Sequence, residues 1–246
     1  MEEKGFLQET FTPSSNPQGA PLPTNMPVNN YSKSEDDALY PSHPGVPLTA
    51  GEAALLKSIF GDGIETEDIR KHFSEKEKPG GIVGYVIPAQ TFGVDCIKFY
   101  GAQYAADDYS QTGDIFKYAT FIHEMTHIWQ NQQRSLGNTV HDNQINNNQI
   151  YAYQLTPDTD FNQLGDEQQA KIIEDYARQF LYLKRLPAQQ GDTYLPSYTQ
   201  DANNTAQHSL ALLQKVVEDA FPQARITRMA LEARLANNPP PPKPAF

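Results

Sequence analysis

The sequence lacks paired cysteines, long apolar runs and an excess of basic residues, and each absence excludes a class of protein. Its 246 residues include one cysteine, Cys96, so no intrachain disulfide can support the fold. No apolar run approaches the ~20 residues of a membrane span, which excludes an integral membrane segment. The formal net charge of −11 disfavours binding to phosphate backbones, so no nucleic-acid partner is expected. The acidic start has no basic region followed by an apolar stretch, so no Sec-type signal peptide is predicted.

Proline is concentrated at both ends of the chain. Seven prolines interrupt residues 1–46, which are otherwise rich in Ser, Asn and Gln, and this composition predicts a disordered leader. A second proline run in residues 237–246 predicts an extended tail. The alternative to solvated tails is that one or both ends have a role in docking or delivery. The folded body is therefore expected over residues 47–236, which is long enough to bury a sizeable core.

Hydrophobic periodicity predicts a mostly helical α+β body with one small sheet. A capping-box spacing between Thr49 and Glu52 predicts a short helix that ends at Gly61. β-branched and aromatic residues predict two strands, over residues 82–87 and 94–100. Four longer helices are predicted over residues 114–134, 166–186, 205–220 and 222–235. Gly137 is the expected stop after the first of these helices, and Asp166 is the expected N-cap of the second.

The strongest amphipathic helix carries the motif His-Glu-x-x-His at residues 123–127. Residues four apart on a helix lie one above the other, so His123 and His127 can bind one metal ion. Zn²⁺ suits two neutral imidazoles plus an oxygen ligand, with one position left open for water. Glu124 lies about 100° around the helix from His123 and is predicted to be the general base for that water. The motif therefore predicts a catalytic zinc site.

A third protein ligand is required, and several residues compete for the role. The three-histidine extension of the motif fails, because Gln130 and Gln133 occupy its glycine and histidine positions. Glu167 and Glu174 are seven residues apart and share a face of the next long helix. Glu167 is preferred because the small Ala170 allows that helix to approach the metal helix. Glu174 is the main alternative, and the weaker candidates are Asp166, His141 and Cys96.

Donors for the oxyanion of a tetrahedral intermediate are less sharply defined. Tyr153 is the chosen candidate, since it lies between the two ligand helices and a phenol there could donate a hydrogen bond. Its neighbour Tyr151 and the more distant His208 are alternatives, and ordinary packing roles compete for all three. The edge of the predicted sheet could bind an extended peptide by strand addition.

The motifs together resemble a known family. His-Glu-x-x-His with a distant glutamate helix resembles the gluzincin branch of zinc peptidases. Four segments resemble, more narrowly, the zincin-like domains attached to VgrG spike proteins and Rhs elements of type VI secretion. These segments are residues 48–52, 59–62, 121–130 and 167–170, and the likeness extends over residues 47–182.

This resemblance implies a bacterial effector that reaches a rival or host cell without a Sec signal. The effector would be cytoplasmic before delivery and would act in the target cell, including its periplasm. The resemblance assigns His123, His127 and Glu167 as zinc ligands and Glu124 as the base. A secretion spike and an immunity protein are the partners it implies. No spike domain is present in this chain, so a stand-alone cargo protein or an excised domain is expected.

The leading hypothesis is a zinc metallopeptidase whose substrate is a protein chain or a peptidoglycan peptide stem. The alternative from another class is a non-catalytic binding or adaptor module with a structural or vestigial zinc site, which the proline-rich ends suit. A third hypothesis is a deformylase-like amidase with Cys96 as metal ligand, although no glycine-flanked cysteine motif supports it.

Overall fold

The computed structural model describes residues 45–74, 83–87, 93–136, 153–182 and 206–237, the last range with side chains from residue 210 onward. Its strands are β1 (Val46–Pro47), β2 (Arg70–Ser74), β3 (Gly84–Ile87) and β4 (Cys96–Tyr100). Its α-helices are α1 (Ala50–Phe60), α2 (Ile115–Ser135), α3 (Asp166–Tyr176), α4 (Ala206–Ala220) and α5 (Pro222–Asn237). The described residues confirm the mostly helical α+β class with one small sheet.

The first helix begins with the expected capping box. The Thr49 hydroxyl accepts from the Glu52 amide at 3.0 Å, and the Glu52 carboxylate accepts from the Thr49 amide at 2.8 Å. Gly61 ends the helix with a φ of 61°, a conformation that favours glycine. The start and the end of α1 are therefore both confirmed.

The long helix α2 forms where the sequence predicts it. Asp114 caps its start, and the Asp114 carboxylate accepts from the Phe116 and Lys117 amides. The predicted inner face includes four fully buried residues, namely Tyr118, Ala119, Ile122 and Thr126. The helix ends at Ser135, and the predicted stop at Gly137 lies outside the described residues.

The start of α3 differs from the prediction by one residue. Gly165 is the N-cap, and Asp166 is the first helical residue. The reason is local: the Gln168 side chain accepts from the Gly165 amide at 3.2 Å, while the Asp166 carboxylate accepts from Arg134 of α2. After Tyr176 the chain continues as a π-helical segment, Ala177–Tyr182, and residues 183–186 of the predicted helix lie outside the described residues.

The sheet is mixed, with the strand order β1-β2-β4-β3. The two predicted strands are confirmed as β3 and β4, which pair antiparallel with Gly84 opposite Phe99. β2 pairs parallel with β4, and β1 pairs antiparallel with β2. Neither β1 nor β2 was predicted, because β1 has only two residues and β2 reads Arg-Lys-His-Phe-Ser. The buried Lys71 of β2 is neutralised by Glu52 at 2.7 Å.

The core lies where α2 packs against α3, the sheet and α1. It contains fully buried residues from each of these elements, including Ile59, Ile97, Phe121, Ile122 and Ile173. Stacked and edge-to-face aromatic rings extend the core toward α5 through Phe60, Trp129 and Phe221. This packing holds α2 and α3 in a fixed relation, and these two helices carry the candidate site. Of the helices in the described ranges, none has the length and apolar composition that crossing a membrane requires.

Candidate metal centre

Three predicted ligand residues converge between α2 and α3. The Oε2 atom of Glu167 lies 3.2 Å from Nε2 of His123 and 3.3 Å from Nε2 of His127. One ligand atom from each of these three residues falls within 4.8 Å of the others, which makes the set able to hold a metal ion. The two histidines come from one helix face and the carboxylate comes from the first turn of the facing helix.

Glu174 lies on the other side of His123. Its Oε2 atom is 3.1 Å from Nδ1 of His123, whereas Glu167 faces Nε2. One imidazole cannot direct both nitrogens at the same metal ion, so Glu174 supports the ring and Glu167 faces the cluster. The structure thus places the preferred candidate Glu167 on the cluster side of His123 and Glu174 on the other side, and the role of Glu167 as a metal ligand stays a prediction.

Ion pairs hold Glu174 in place. Its Oε1 atom lies 2.6 Å from Arg178 and 3.0 Å from Lys171. Burial alone would raise the pKa of Glu174, but the charges of Arg178 and Lys171 hold this pKa well below its usual range. The group beside His123 Nδ1 is therefore a carboxylate anion, which accepts a hydrogen bond from Nδ1–H.

Gln130 plays the equivalent part for His127. Its Oε1 atom lies 2.7 Å from Nδ1 of His127, and its amide nitrogen donates to the Asp166 carbonyl and to Gln169 Oε1, both at 2.9 Å. The two donated bonds fix the orientation of the amide, so the Gln130 oxygen must accept from Nδ1–H. Nε2 of His127 is thereby left facing Glu167 as the nitrogen that could bind a metal ion.

The two histidines are electrostatically stabilised as cations when protons rather than a metal occupy the cluster. Burial would lower the pKa of His123, but its hydrogen bonds to Glu167 and Glu174 outweigh burial and raise this pKa to about 10. The pKa of His127 is raised for the same reason, mainly by the charge of Glu167. Burial would raise the pKa of Glu167, and the charge of His127 instead holds it well below its usual range.

Glu124 lies next to the cluster and is buried, with 3% of its surface exposed. This burial raises the pKa of Glu124 above the ordinary carboxyl value. A carboxylate whose pKa is shifted toward neutrality is suited to accept and return a proton at the pH of a cell. The role of Glu124 as general base stays a prediction.

The other predicted candidates lie elsewhere. The Tyr153 hydroxyl donates to Asp175 of α3 at 2.7 Å, so its predicted oxyanion role stays a prediction. Cys96 lies buried in β4 outside the cluster, and burial raises the pKa of its thiol to about 11. Asp166 accepts from Arg134 and does not join the cluster. Tyr151, His141 and the side chain of His208 lie outside the described residues.

Sequence reasoning missed the residues that support the ligands. Gln130 and Gln169 are both almost fully buried, and they join α2 to α3 through their side-chain amides. The detectable signal was a glutamine on the buried face, one turn after His127, where periodicity expects an apolar residue. Arg178 also had a detectable signal, because it lies four residues after Glu174 within the predicted helix, a spacing that allows an ion pair.

The sequence is similar to part of a Pseudomonas aeruginosa protein. Over 136 residues the chain is 31% identical to the type VI secretion system spike protein VgrG2b of strain PAO1, a match that covers 54% of this chain and 13% of that protein. The solved effector domain of VgrG2b is 28% identical and covers 58% of this chain and 82% of its own, with a TM-score of 0.38. No family model matches the chain. The sequence match confirms the resemblance to a VgrG protein.

Proposed function

We propose that this chain is a zinc metallopeptidase that acts as a type VI secretion effector. The observation that carries the enzymatic proposal is the convergence of His123, His127 and Glu167 beside the buried carboxyl group of Glu124. Two imidazoles and one carboxylate form the ligand set of a hydrolytic zinc site with an open position.

The spacing of the donor atoms supports zinc. Ligands about 2.0–2.1 Å from a tetrahedral zinc ion lie about 3.3 Å from one another. The observed separations from Glu167 Oε2 to the two Nε2 atoms are 3.2 and 3.3 Å. Because Glu174 and Gln130 engage both Nδ1 atoms, each histidine keeps its Nε2 atom for a metal ion that displaces the Nε2 proton. When bound, zinc supplies Lewis-acid polarisation of a carbonyl group and acidifies water at its open position.

Glu124 moves the proton of the reaction. In hydrolysis, a water oxygen forms a bond to the peptide carbonyl carbon, and the carboxylate of Glu124 takes the proton that this oxygen loses. The carbon–nitrogen bond then breaks, and Glu124 returns the proton to the leaving amine. Its burial beside the ligands keeps the carboxyl group within reach of that water and away from bulk solvent.

The substrate is proposed to bind along β3. This strand is the last one in the described sheet order, and Gly84 of β3 lies against the Glu124 side chain. An extended peptide added to such an edge would pass directly beside the base. Protein chains and peptidoglycan peptide stems both fit this mode of binding.

The enzymatic proposal is tested with Glu124→Gln, which keeps the shape of the side chain and removes its basicity. We expect wild type and Glu124→Gln to hold about one zinc per chain, and only wild type to cleave denatured casein or peptidoglycan stem peptides, as followed by mass spectrometry. Glu67→Gln, an exposed carboxylate away from the site, is the matched control. Equal cleavage by Glu124→Gln would contradict the role of this residue as base.

The effector proposal rests on the similarity to VgrG2b and is tested in cells. Expression with a periplasmic export signal should arrest growth of a Gram-negative host, whereas the exported Glu124→Gln variant should not. Arrest by cytoplasmic wild type alone would place the substrate in the cytoplasm. Stoichiometric zinc in a protein that cleaves neither substrate and arrests no growth would favour the alternative of a binding or adaptor module.

A further inference from the structure

We propose that Gly84 is a positioning residue for Glu124, because the missing side chain leaves the space in which the carboxyl group of the base lies. This inference rests on the proposed role of Glu124 in hydrolysis. The contact itself can be tested without any assay of activity.

The contact is unusually close for a side chain at position 84. A Cβ atom on Gly84 would lie 3.0 Å from each of three Glu124 atoms, Cγ, Cδ and Oε1. Non-bonded carbon atoms are most stable about 3.5–4.0 Å apart, so any side chain here would push against the carboxyl group. Gly84 has no positive φ, and its backbone therefore suits any residue. Space, and not backbone conformation, is what requires a glycine.

Glu124 is the partner that would have to move. Gly84 is held in β3 by antiparallel pairing with β4, opposite the buried Phe99. The backbone of Glu124 lies in the middle of α2, which is fixed by its packing against α3 and the core. The flexible part of the contact is the end of the Glu124 side chain, which carries the carboxyl group. A methyl group at position 84 would therefore displace the base by a few tenths of an ångström or into another rotamer.

The displacement would be selective. All three of the atoms nearest to the added Cβ belong to Glu124, and none belongs to His123, His127 or Glu167. The two histidines are held at their Nδ1 atoms by Glu174 and Gln130, neither of which is among the atoms nearest to the added Cβ. Gly84→Ala should consequently disturb the base and leave metal binding intact.

A double-mutant cycle on thermal stability tests the contact. We expect Gly84→Ala to lower the Tm of wild type by about a few °C, through overpacking in a buried site. In a Glu124→Ala background the clash is gone, and Gly84→Ala should leave the Tm equal or higher, since alanine restricts the unfolded chain. A Gly84→Ala variant that folds only in the Glu124→Ala background would support the contact equally. Equal shifts of Tm in both backgrounds would overturn the proposal.

Gly63→Ala is the matched control for this cycle. A Cβ atom on Gly63 would lie 3.5 Å from Trp129 Nε1, which is an ordinary contact, and Gly63 also has no positive φ. Its effect on Tm should be the same in the presence and absence of the Glu124 side chain.

Kinetics and metal content test the consequence for catalysis. With casein or stem peptides as substrate, Gly84→Ala should lower kcat by roughly 10- to 100-fold at nearly unchanged KM, with zinc content equal to wild type. Unchanged kcat, or loss of zinc, would overturn the positioning role. If wild type cleaves neither substrate, the proposed function fails, and the stability cycle still decides whether Gly84 and Glu124 are coupled.

Discussion

The Nδ1 atom of His123 lies 3.1 Å from Oε2 of Glu174, and the opposite nitrogen of the same ring faces Glu167 at 3.2 Å. One histidine is thus placed between two carboxylates that lie about two turns apart on α3. The carboxylate on Nδ1 orients the ring, and the carboxylate on Nε2 shares the cluster with His127. This relationship gives different surroundings to two glutamates that share one face of the predicted helix.

Substitution of the two glutamates should have different effects on metal content. Glu167→Ala removes one of three ligands, so we expect it to lose zinc. Glu174→Gln keeps a hydrogen-bond acceptor near Nδ1 but removes its charge, so zinc affinity should fall about 10- to 100-fold with about one zinc still bound at saturation. Affinity is measured by competition with a chelator, with Glu67→Gln as the control. If Glu174→Gln lost zinc and Glu167→Ala kept it, Glu174 would be the metal ligand and Glu167 the supporting carboxylate.

Gln130→Glu should destabilise the protein although the new side chain has almost the same size. The amide nitrogen of Gln130 donates to the Asp166 carbonyl and to Gln169 Oε1, and a carboxylate would present acceptors to both. Leaving buried polar groups unpaired costs about 1–3 kcal/mol, and urea unfolding measures this loss. Gln133→Glu is the control, since that side chain donates to the Gly63 carbonyl at an exposed position. A Gln130→Glu variant as stable as the control would contradict this network.

Metal binding should release protons near neutral pH. In the metal-free protein the pKa of His123 is raised to about 10, so this ring is protonated at pH 7, and the charge of Glu167 also raises the pKa of His127. A metal ion must displace the Nε2 proton of His123 and any proton on Nε2 of His127, so between about one and two protons should leave per zinc bound. Titration calorimetry in buffers of different ionisation enthalpy measures the number. No buffer dependence would show that both histidines are neutral before binding.

The same shifts set the pH dependence of stability of the metal-free protein. The raised pKa of His123 means that its protonated form is favoured by folding. This contribution is fully present below the ordinary value of 6.5 and is lost as pH rises through about 10. The chelator-treated protein should therefore lose stability across that window, and Tm measured from pH 6 to pH 10.5 checks it. His123→Asn should flatten the profile.

Glu124→Gln should stabilise the metal-free protein at neutral pH. Burial raises the pKa of Glu124, so the ionised form is disfavoured by folding. Its stabilising contribution is present below the ordinary value of 4.5 and is lost as pH rises through the folded pKa. The variant should consequently show a higher Tm than wild type at pH 7 and a smaller difference near pH 4. If the Tm difference between Glu124→Gln and wild type were the same at pH 4 as at pH 7, the charge of Glu124 would not be its cause.

Local patterns were sufficient for much of the molecule. The capping box at Thr49, the helix of residues 115–135 and the antiparallel pair of strands follow from contacts within a few residues, which a sequence records directly. The placement of His123 and His127 on one helix face also follows from spacing within a few residues. The sequence did not predict β1 and β2, because β1 is very short and the polar β2 is stabilised by the distant Glu52.

The sequence by itself determined the start and end of α1 and the buried face of α2, which carries the histidine pair and the neighbouring Glu124. Only the tertiary structure decided that Glu167 meets the Nε2 atoms while Glu174 supports Nδ1, since both glutamates occupy the same face of α3. It also placed Gly84 against Glu124 and Gln130 against Gln169. Such contacts join elements separated by tens of residues, and their geometry depends on how whole helices and strands pack.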